Sequence, residues 1–105
     1  MADLALRRLV GQRVSVVERV HDYVQLRFSN GDLLNVYNDF SLSGATGGDL
    51  ATLANCVVED VQADDRFLTF VFSEKSLQVG LVDAAYRGPE AIEYIAADGG
   101  RIVWS

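Results

Sequence analysis

From residue 14 onward the chain alternates apolar and polar positions with a period of two. Val14 and Val16 open a first strand, Val24, Leu26 and Phe28 alternate with Gln25, Arg27 and Ser29 in a second, and Leu34 and Val36 carry a third. His21-Asp22 supplies the first turn. Asn30-Gly31 supplies the next and predicts a type I′ hairpin, in which both central residues take positive φ. Ahead of these strands the spacing predicts a short helix capped by Asp3, with Leu6, Leu9 and Val10 on one face and Gly11 as its left-handed stop. Residues 41 to 48, with their glycines and small polar residues, read as a connecting loop.

Shifting the sequence by 44 positions repeats this pattern. Leu6, Leu9, Val14, Val17, Phe28 and Ser29 fall on Leu50, Leu53, Val58, Val61, Phe72 and Ser73, and Gly11 falls on Asn55, the other residue that tolerates the left-handed conformation. Asp49 takes the place of a second helix cap. One residue is lost in the turn Ser73-Glu74-Lys75-Ser76, after which Leu34 and Val36 match Leu77 and Val79. Beyond the second unit, Gly88-Pro89 breaks the chain, Ala91 to Ala96 runs extended, Asp98-Gly99-Gly100 turns, and Ile102-Val103-Trp104 returns.

These signals predict an α+β fold, mainly antiparallel β: two helix plus three-strand units related by internal duplication, spanning 6–39 and 50–83, and a C-terminal β-hairpin over 88–105, all in a single domain, 1–105. About eight strands and two short helices are expected. Leu26, Phe28, Leu34, Val36, Leu68, Phe70, Phe72, Leu77 and Val79 form the expected core. The strand from Phe67 to Phe72 is apolar on both faces, so it should be central, its second face covered by a helix, the C-terminal hairpin or a partner.

Composition narrows the function. With 105 residues, 50% of them hydrophobic and 23% charged, the chain resembles neither a disordered nor a low-complexity segment. Its longest unbroken apolar run is Tyr94 to Ala97, far short of the roughly 20 residues of a membrane span, and Arg7 and Arg8 interrupt the N-terminal apolar stretch. A cytoplasmic protein without membrane association is expected. The net charge is −6, unevenly spread: residues 1–30 carry five arginines and three acids, residues 31–105 four bases and twelve acids. Between Arg27 and Arg66 no base interrupts Asp32, Asp39, Asp49, Glu59, Asp60, Asp64 and Asp65. Such a segment repels phosphate backbones, which argues against nucleic acid, and attracts basic surfaces.

No local motif announces catalysis. His21 lies in a predicted turn beside Asp22, and no serine occupies a nucleophile elbow. Cys56 precedes Val57-Val58 in a predicted strand, without a nearby cation to activate its thiol. The lone histidine and lone cysteine exclude the common zinc cages, and no calcium loop surrounds Glu59-Asp60 or Asp64-Asp65. The glycines from Gly44 to Gly48 lack the lysine of a phosphate cradle. No enzyme, metal or cofactor is expected.

The pattern Leu9-x-Gly11, Val14, Leu26-x-Phe28-Ser29-Asn30-Gly31-Asp32-x-Leu34-x-Val36, closed by Gly88-Pro89-Glu90-Ala91, Asp98-Gly99 and Val103-Trp104, resembles small bacterial immunity proteins of contact-dependent and polymorphic toxin systems. The resemblance covers most of the chain, although the second unit replaces Asn30-Gly31-Asp32 with Glu74-Lys75-Ser76. It implies a cytosolic inhibitor of a cognate toxin domain, commonly a nuclease with a cationic surface. Asp39, Asp49, Glu59, Asp60, Asp64 and Asp65 are then the candidate partner-binding residues, and Asp32 is set aside because its turn itself favours a polar side chain. The alternative is a structural or ligand-binding module that acts as a homodimer.

Overall fold

The computed structural model describes residues 6–44 and 50–104. Nine strands and three 3-10 turns are present among them: η1 (Arg7–Leu9), β1 (Val14–Val20), β2 (Tyr23–Phe28), β3 (Leu33–Val36), β4 (Phe40–Gly44), η2 (Leu50–Leu53), β5 (Val58–Ala63), β6 (Phe67–Phe72), β7 (Lys75–Gly80), η3 (Asp83–Ala85), β8 (Ile92–Ile95) and β9 (Arg101–Trp104). They build a five-stranded sheet in the order β1-β2-β3-β8-β9 and a four-stranded sheet in the order β4-β7-β6-β5. All neighbouring strands are antiparallel.

Strand register decides what reaches the core. In the larger sheet Val17, Leu26, Leu34, Tyr94 and Ile102 lie in one cross-strand row, and Val24, Val36, Ile92 and Trp104 in the next. In the smaller sheet the rows are Val61-Phe70-Leu77-Leu42 and Leu68-Val79-Phe40. Side chains two apart share a face, so these rows all point inward and join a single hydrophobic cluster between the sheets. All nine expected core residues belong to it. Each fully buried aliphatic or aromatic side chain contributes roughly 1.5–3 kcal/mol, which makes this cluster the main stabilising element.

The expected pair of helix plus three-strand units is not what forms. Among the described residues Leu6 alone is α-helical, and the elements at the expected helices are the 3-10 turns Arg7–Leu9 and Leu50–Leu53; the part of the first expected helix before Leu6 lies outside the described residues. The reason lies in the spacing: Leu6 and Leu9, like Leu50 and Leu53, are three apart, and a 3-10 turn eclipses positions i and i+3. One such turn already buries Leu6, Leu9 and Leu53 completely. A left-handed residue then stops each turn, Gly11 at φ 90° and Asn55 at φ 72°. The helix caps assigned to Asp3 and Asp49 lie outside the described residues.

What does recur at 44 residues is a set of hydrogen bonds. Gly11 N–H donates to Val58 O and Asn55 N–H to Val14 O, both at 2.7 Å; Val14 N–H donates to Cys56 O at 2.8 Å and Val58 N–H to Gln12 O at 2.9 Å. These exchanges surround a lone bridge between Arg13 and Val57 and tie one sheet to the other. Both following hairpins bulge at the same place, between Val14 and Val16 and between Val58 and Asp60. The sheets then diverge, because β3 is extended by β8 and β9 whereas β7 is extended by β4.

Two further expectations are corrected. The segment from Ser41 is strand rather than loop as far as Gly44: Phe40 and Leu42 alternate inward, and β4 pairs with β7. Only residues 45–48 of that expected loop remain, outside the described set. The Asn30-Gly31 turn is not type I′, since only Gly31 has positive φ, at 96°. Gly31 N–H donates to Phe28 O and Phe28 N–H to Asp32 O, each at 2.9 Å, the pattern of a type I turn followed by a bulge at a left-handed glycine. The C-terminal hairpin repeats that pattern with Gly99 at φ 98°, and it extends the five-stranded sheet instead of covering β6.

Candidate functional site

The acids that are consecutive in sequence are dispersed in space. Asp32 is buried at 3% exposure and accepts from Tyr94 Oη at 2.6 Å and Ala97 N–H at 2.8 Å. Asp60, on β5, is paired with Arg7 at 2.9 Å, and Glu59 is exposed at the bulge beside it. Hydrogen bonds from Gln62, Arg7 and Val61 hold the Asp60 carboxyl below its ordinary pKa. Asp64 Oδ1 accepts from the backbone of Arg66 at 2.7 Å and Phe67 at 2.8 Å, so it shapes the β5–β6 turn, and these bonds lower its pKa. Asp65 is exposed in that turn. Asp39 follows β3 and pairs with Arg87 at 2.7 Å. Asp49 lies outside the described residues.

Three of these candidates, Asp39, Asp64 and Asp65, meet at one end of the molecule. The connection from β3 to β4 brings the end of the first sheet against the end of the second. Gly80 N–H donates to Asp39 O at 2.9 Å, Asp39 N–H to Ala85 O at 2.9 Å, and Leu81 N–H to Arg66 O at 2.8 Å. These bonds stitch the β5–β6 turn, the exit from β7 and η3 to Asp39. On the other side, Tyr37 and Asn38 both donate to Ala91 O, at 2.9 and 3.2 Å, which draws in the segment from Arg87 to Glu90. The assembled end carries Asp22, Asp39, Asp64, Asp65, Asp83 and Glu90 against Arg19, Arg66 and Arg87. It also exposes Phe67 at 38% and Val82 at 44%.

Two adjoining hollows of about 190 and 440 Å³ open at this end. Asp22, Tyr37 and Arg87 line both; Tyr23, Gly88, Pro89 and Glu90 complete the first, and Arg19, Asn38, Asp39 and Phe40 are among those completing the second. Tyr23 and Tyr37 form the aromatic wall of the first, their ring centroids 5.1 Å apart and tilted by 58°. Tyr37 is fixed from behind. Its hydroxyl donates to Glu93 Oε1 at 2.8 Å, Asn35 Nδ2 donates to the same oxygen at 3.2 Å, and Arg101 reaches Oε2. Burial and this carboxylate push the Tyr37 phenol up to about 12, so it is a neutral donor at physiological pH.

Asn38 is the anomaly. It is 2% exposed, and its Nδ2 donates to Gly80 O at 2.6 Å, whereas Oδ1 is buried without a hydrogen-bond partner among the described residues. Sequence reasoning found Asp39, Asp64 and Asp65 here but missed Asn38, Tyr23, Tyr37 and Arg87. Their convergence depends on Asn38 and Tyr37 donating to Ala91, 53 and 54 positions away, and alternation does not encode that pairing.

Neither His21 nor Cys56, the residues considered for catalysis, lines these hollows. His21 forms the β1–β2 turn at φ 53°, and the Cys56 thiol donates to Thr52 O at 3.4 Å. Among the described residues no group of three or more His, Cys, Asp or Glu is arranged to hold a metal, and no helix is long and apolar enough to cross a membrane. Comparison of the chain with known family models, with curated proteins and with solved structures finds no match.

Proposed function

We propose that this chain is a non-enzymatic cytosolic inhibitor of the immunity class, which covers the basic surface of a partner toxin domain, such as a cationic nuclease, with the acidic end of its sandwich. The observation that carries the reading is the composition of that end: acids outnumber arginines, and Tyr23, Tyr37, Phe67 and Val82 lie among them. Aromatic side chains anchor protein interfaces, while surrounding charges steer association and reject wrong partners. A nuclease presents the complementary cationic surface because it must hold phosphates.

The test is to sequence the adjacent upstream gene and, if it encodes a large secreted protein, to co-express that protein's C-terminal domain with wild type or with an Asp22→Lys, Asp65→Lys variant whose fold is checked by circular dichroism. Protection by wild type, lost or weakened in the variant, with association that slows as salt rises, supports the reading. Absence of protection and of binding by the wild type overturns it. Light scattering after size exclusion tests the alternative: a concentration-independent dimer that the same substitutions dissociate makes this end a homodimer interface instead.

A further inference from the structure

We propose that β9 is the joining edge of a symmetric homodimer, in which the β9 strands of two copies pair antiparallel and merge the two five-stranded sheets into one. This goes beyond the reading above. None of residues 101–104 lines either hollow, so the acidic end and the β9 edge are separate surfaces.

A strand at the edge of a sheet offers unpaired N–H and C=O groups to any other chain, and edges are ordinarily guarded by bulges, charges or a covering element. β1 and β5 are guarded in this way. Each opens with a bulge, η2 packs against β1 and η1 against β5, and Arg7 donates to Val61 O on β5 at 3.1 Å. Phe40 of β4 lines the larger hollow together with Arg19 of β1. β9 differs. It is paired by β8 on one side, and no strand among the described residues lies on the other. It carries neither a bulge nor a proline, and its one charge, Arg101, is drawn back onto β8 by an ion pair with Glu93.

Hydrogen bonding fixes which groups of β9 are free. Gly100 O accepts from Ala96 N–H at 2.7 Å and Trp104 O from Ala91 N–H at 2.6 Å, so positions 100, 102 and 104 turn their backbone toward the β8 side. Alternation leaves Arg101 and Val103 with N–H and C=O on the open side. A two-fold axis at Val103 then pairs this residue with its own copy through two hydrogen bonds and sets Ile102 opposite Trp104 of the second copy, twice over. The side chains agree with the backbone. Ile102 and Trp104 are half-buried at the margin of the core and Val103 is 39% exposed, so the second copy covers all three further. A second copy is the occupant because this register is self-complementary: each apolar residue meets an apolar one, and Arg101 does not face its own copy. Aromatic and β-branched residues opposite each other are a favourable cross-strand pair.

The experiment is sedimentation velocity and fluorescence over a dilution series of the 105-residue chain. Two four-residue edges bury less than the roughly 1,200 Å² at which standard interfaces begin, so the dimer should be weak, half-formed at about 10–1,000 μM. Trp104 is the single tryptophan, and its emission should move to the red with the same midpoint as the dimer dissociates. Amide exchange at Val103, followed by NMR, should be slow above that midpoint and fast below it, a readout that needs no variant. Val103→Lys sets two ammonium groups opposite each other at a position outside the core cluster. It should weaken the dimer by about 10-fold or more with an unchanged circular dichroism spectrum. If that variant does not fold, emission and exchange decide alone. A monomer throughout the range, a dimer whose Trp104 emission and Val103 exchange ignore dilution, or a dimer that Val103→Lys leaves intact overturns the proposal. Dissociation by Asp22→Lys, Asp65→Lys with Val103→Lys silent would place the dimer at the acidic end instead.

Discussion

The hydroxyl of Tyr94 donates to Asp32 Oδ2 across 2.6 Å, and both residues are buried, at 1% and 3% exposure. Tyr94 lies on β8 and Asp32 closes the β2–β3 turn, so this bond fastens the C-terminal hairpin to the first one. The two turns also touch directly: Ala97 N–H donates to Asp32 Oδ1 at 2.8 Å, and a Cβ added at Gly31 would come within 3.1 Å of Ala97 Cβ. Tyr94→Phe keeps the ring and leaves the carboxylate short of one donor. Removing one partner of a buried group costs about 1–3 kcal/mol, which urea denaturation at neutral pH should register as a lower midpoint with an unchanged slope. An unchanged midpoint would mean that the hydroxyl is dispensable.

The same pair sets a pH dependence with two limbs. Burial raises the Asp32 carboxyl, but hydrogen bonds from Tyr94 and Ala97, aided by Asn30 and the charge of Arg8, outweigh it and hold the group below its ordinary value of 3.8. A depressed carboxyl contributes stability that is present above the unfolded-state value and is lost as pH falls through the folded one. Tyr94 moves the other way. Burial and Asp32 push its phenol from 10.0 up to about 12, so its contribution is complete below pH 10 and disappears as pH rises toward 12. Urea midpoints measured from pH 6 down to 3 should fall in wild type and fall less steeply in Asp32→Asn. Parallel curves would place the acid sensitivity in another carboxylate.

Phe70 occupies the centre of the smaller sheet, 1% exposed, between Val61 and Leu77 in its cross-strand row. Phe70→Ala should cost about 3–5 kcal/mol through lost burial and the cavity left behind. Because domains of this size have only about 5–15 kcal/mol in total, thermal melting should show a drop of many degrees. A melting temperature equal to that of wild type would place Phe70 outside the core.

Asn55 holds φ 72° without using its side chain to close the exchange with Val14, which is made by its backbone N–H. A side chain in the left-handed region costs roughly 1–2 kcal/mol, less for asparagine and nothing for glycine. Asn55→Gly should therefore be neutral or stabilising and Asn55→Ala destabilising by about 1 kcal/mol, as read from paired denaturation curves. The reverse order would show that the asparagine amide does structural work in that position.

Strand alternation made most of the sheet legible from the residues alone: the buried rows from Val24 to Val36 and from Leu68 to Val79 follow directly from period two. The Leu6-Leu9 and Leu50-Leu53 spacing fits an α-helix and a 3-10 turn equally, and the turns bury Leu6, Leu9 and Leu53 while Leu50 stays half-buried. β4 was masked by Ser41, Ser43 and Gly44, whose composition suits a loop even though Phe40 and Leu42 alternate between them. The hollow was illegible for a different reason. Tyr23, Tyr37, Asn38 and Arg87 are each unremarkable as residues, and only backbone bonds spanning the sheets bring them together, whereas acidic charge is visible in any linear reading and drew the candidates toward Asp60 and Glu59.

Gly80 is the joint of that assembled end. Its N–H donates to Asp39 O, its carbonyl accepts from Asn38 Nδ2, and a Cβ placed on it would meet Ala85 Cβ at 2.6 Å, closer than two carbons approach. The glycine is thus required by the close packing of η3, whose Ala85 carbonyl in turn accepts from Asp39 N–H. Gly80→Ala should cost about 1–3 kcal/mol by overpacking. Ala85→Gly alone should cost less, from added freedom in the unfolded chain. If the clash is the cause, the double variant should recover part of the loss, with a coupling of about 0.5–3 kcal/mol in a double-mutant cycle monitored by urea denaturation. Purely additive costs would show that η3 yields without penalty and that Gly80 is not what positions Asp39 and Asn38.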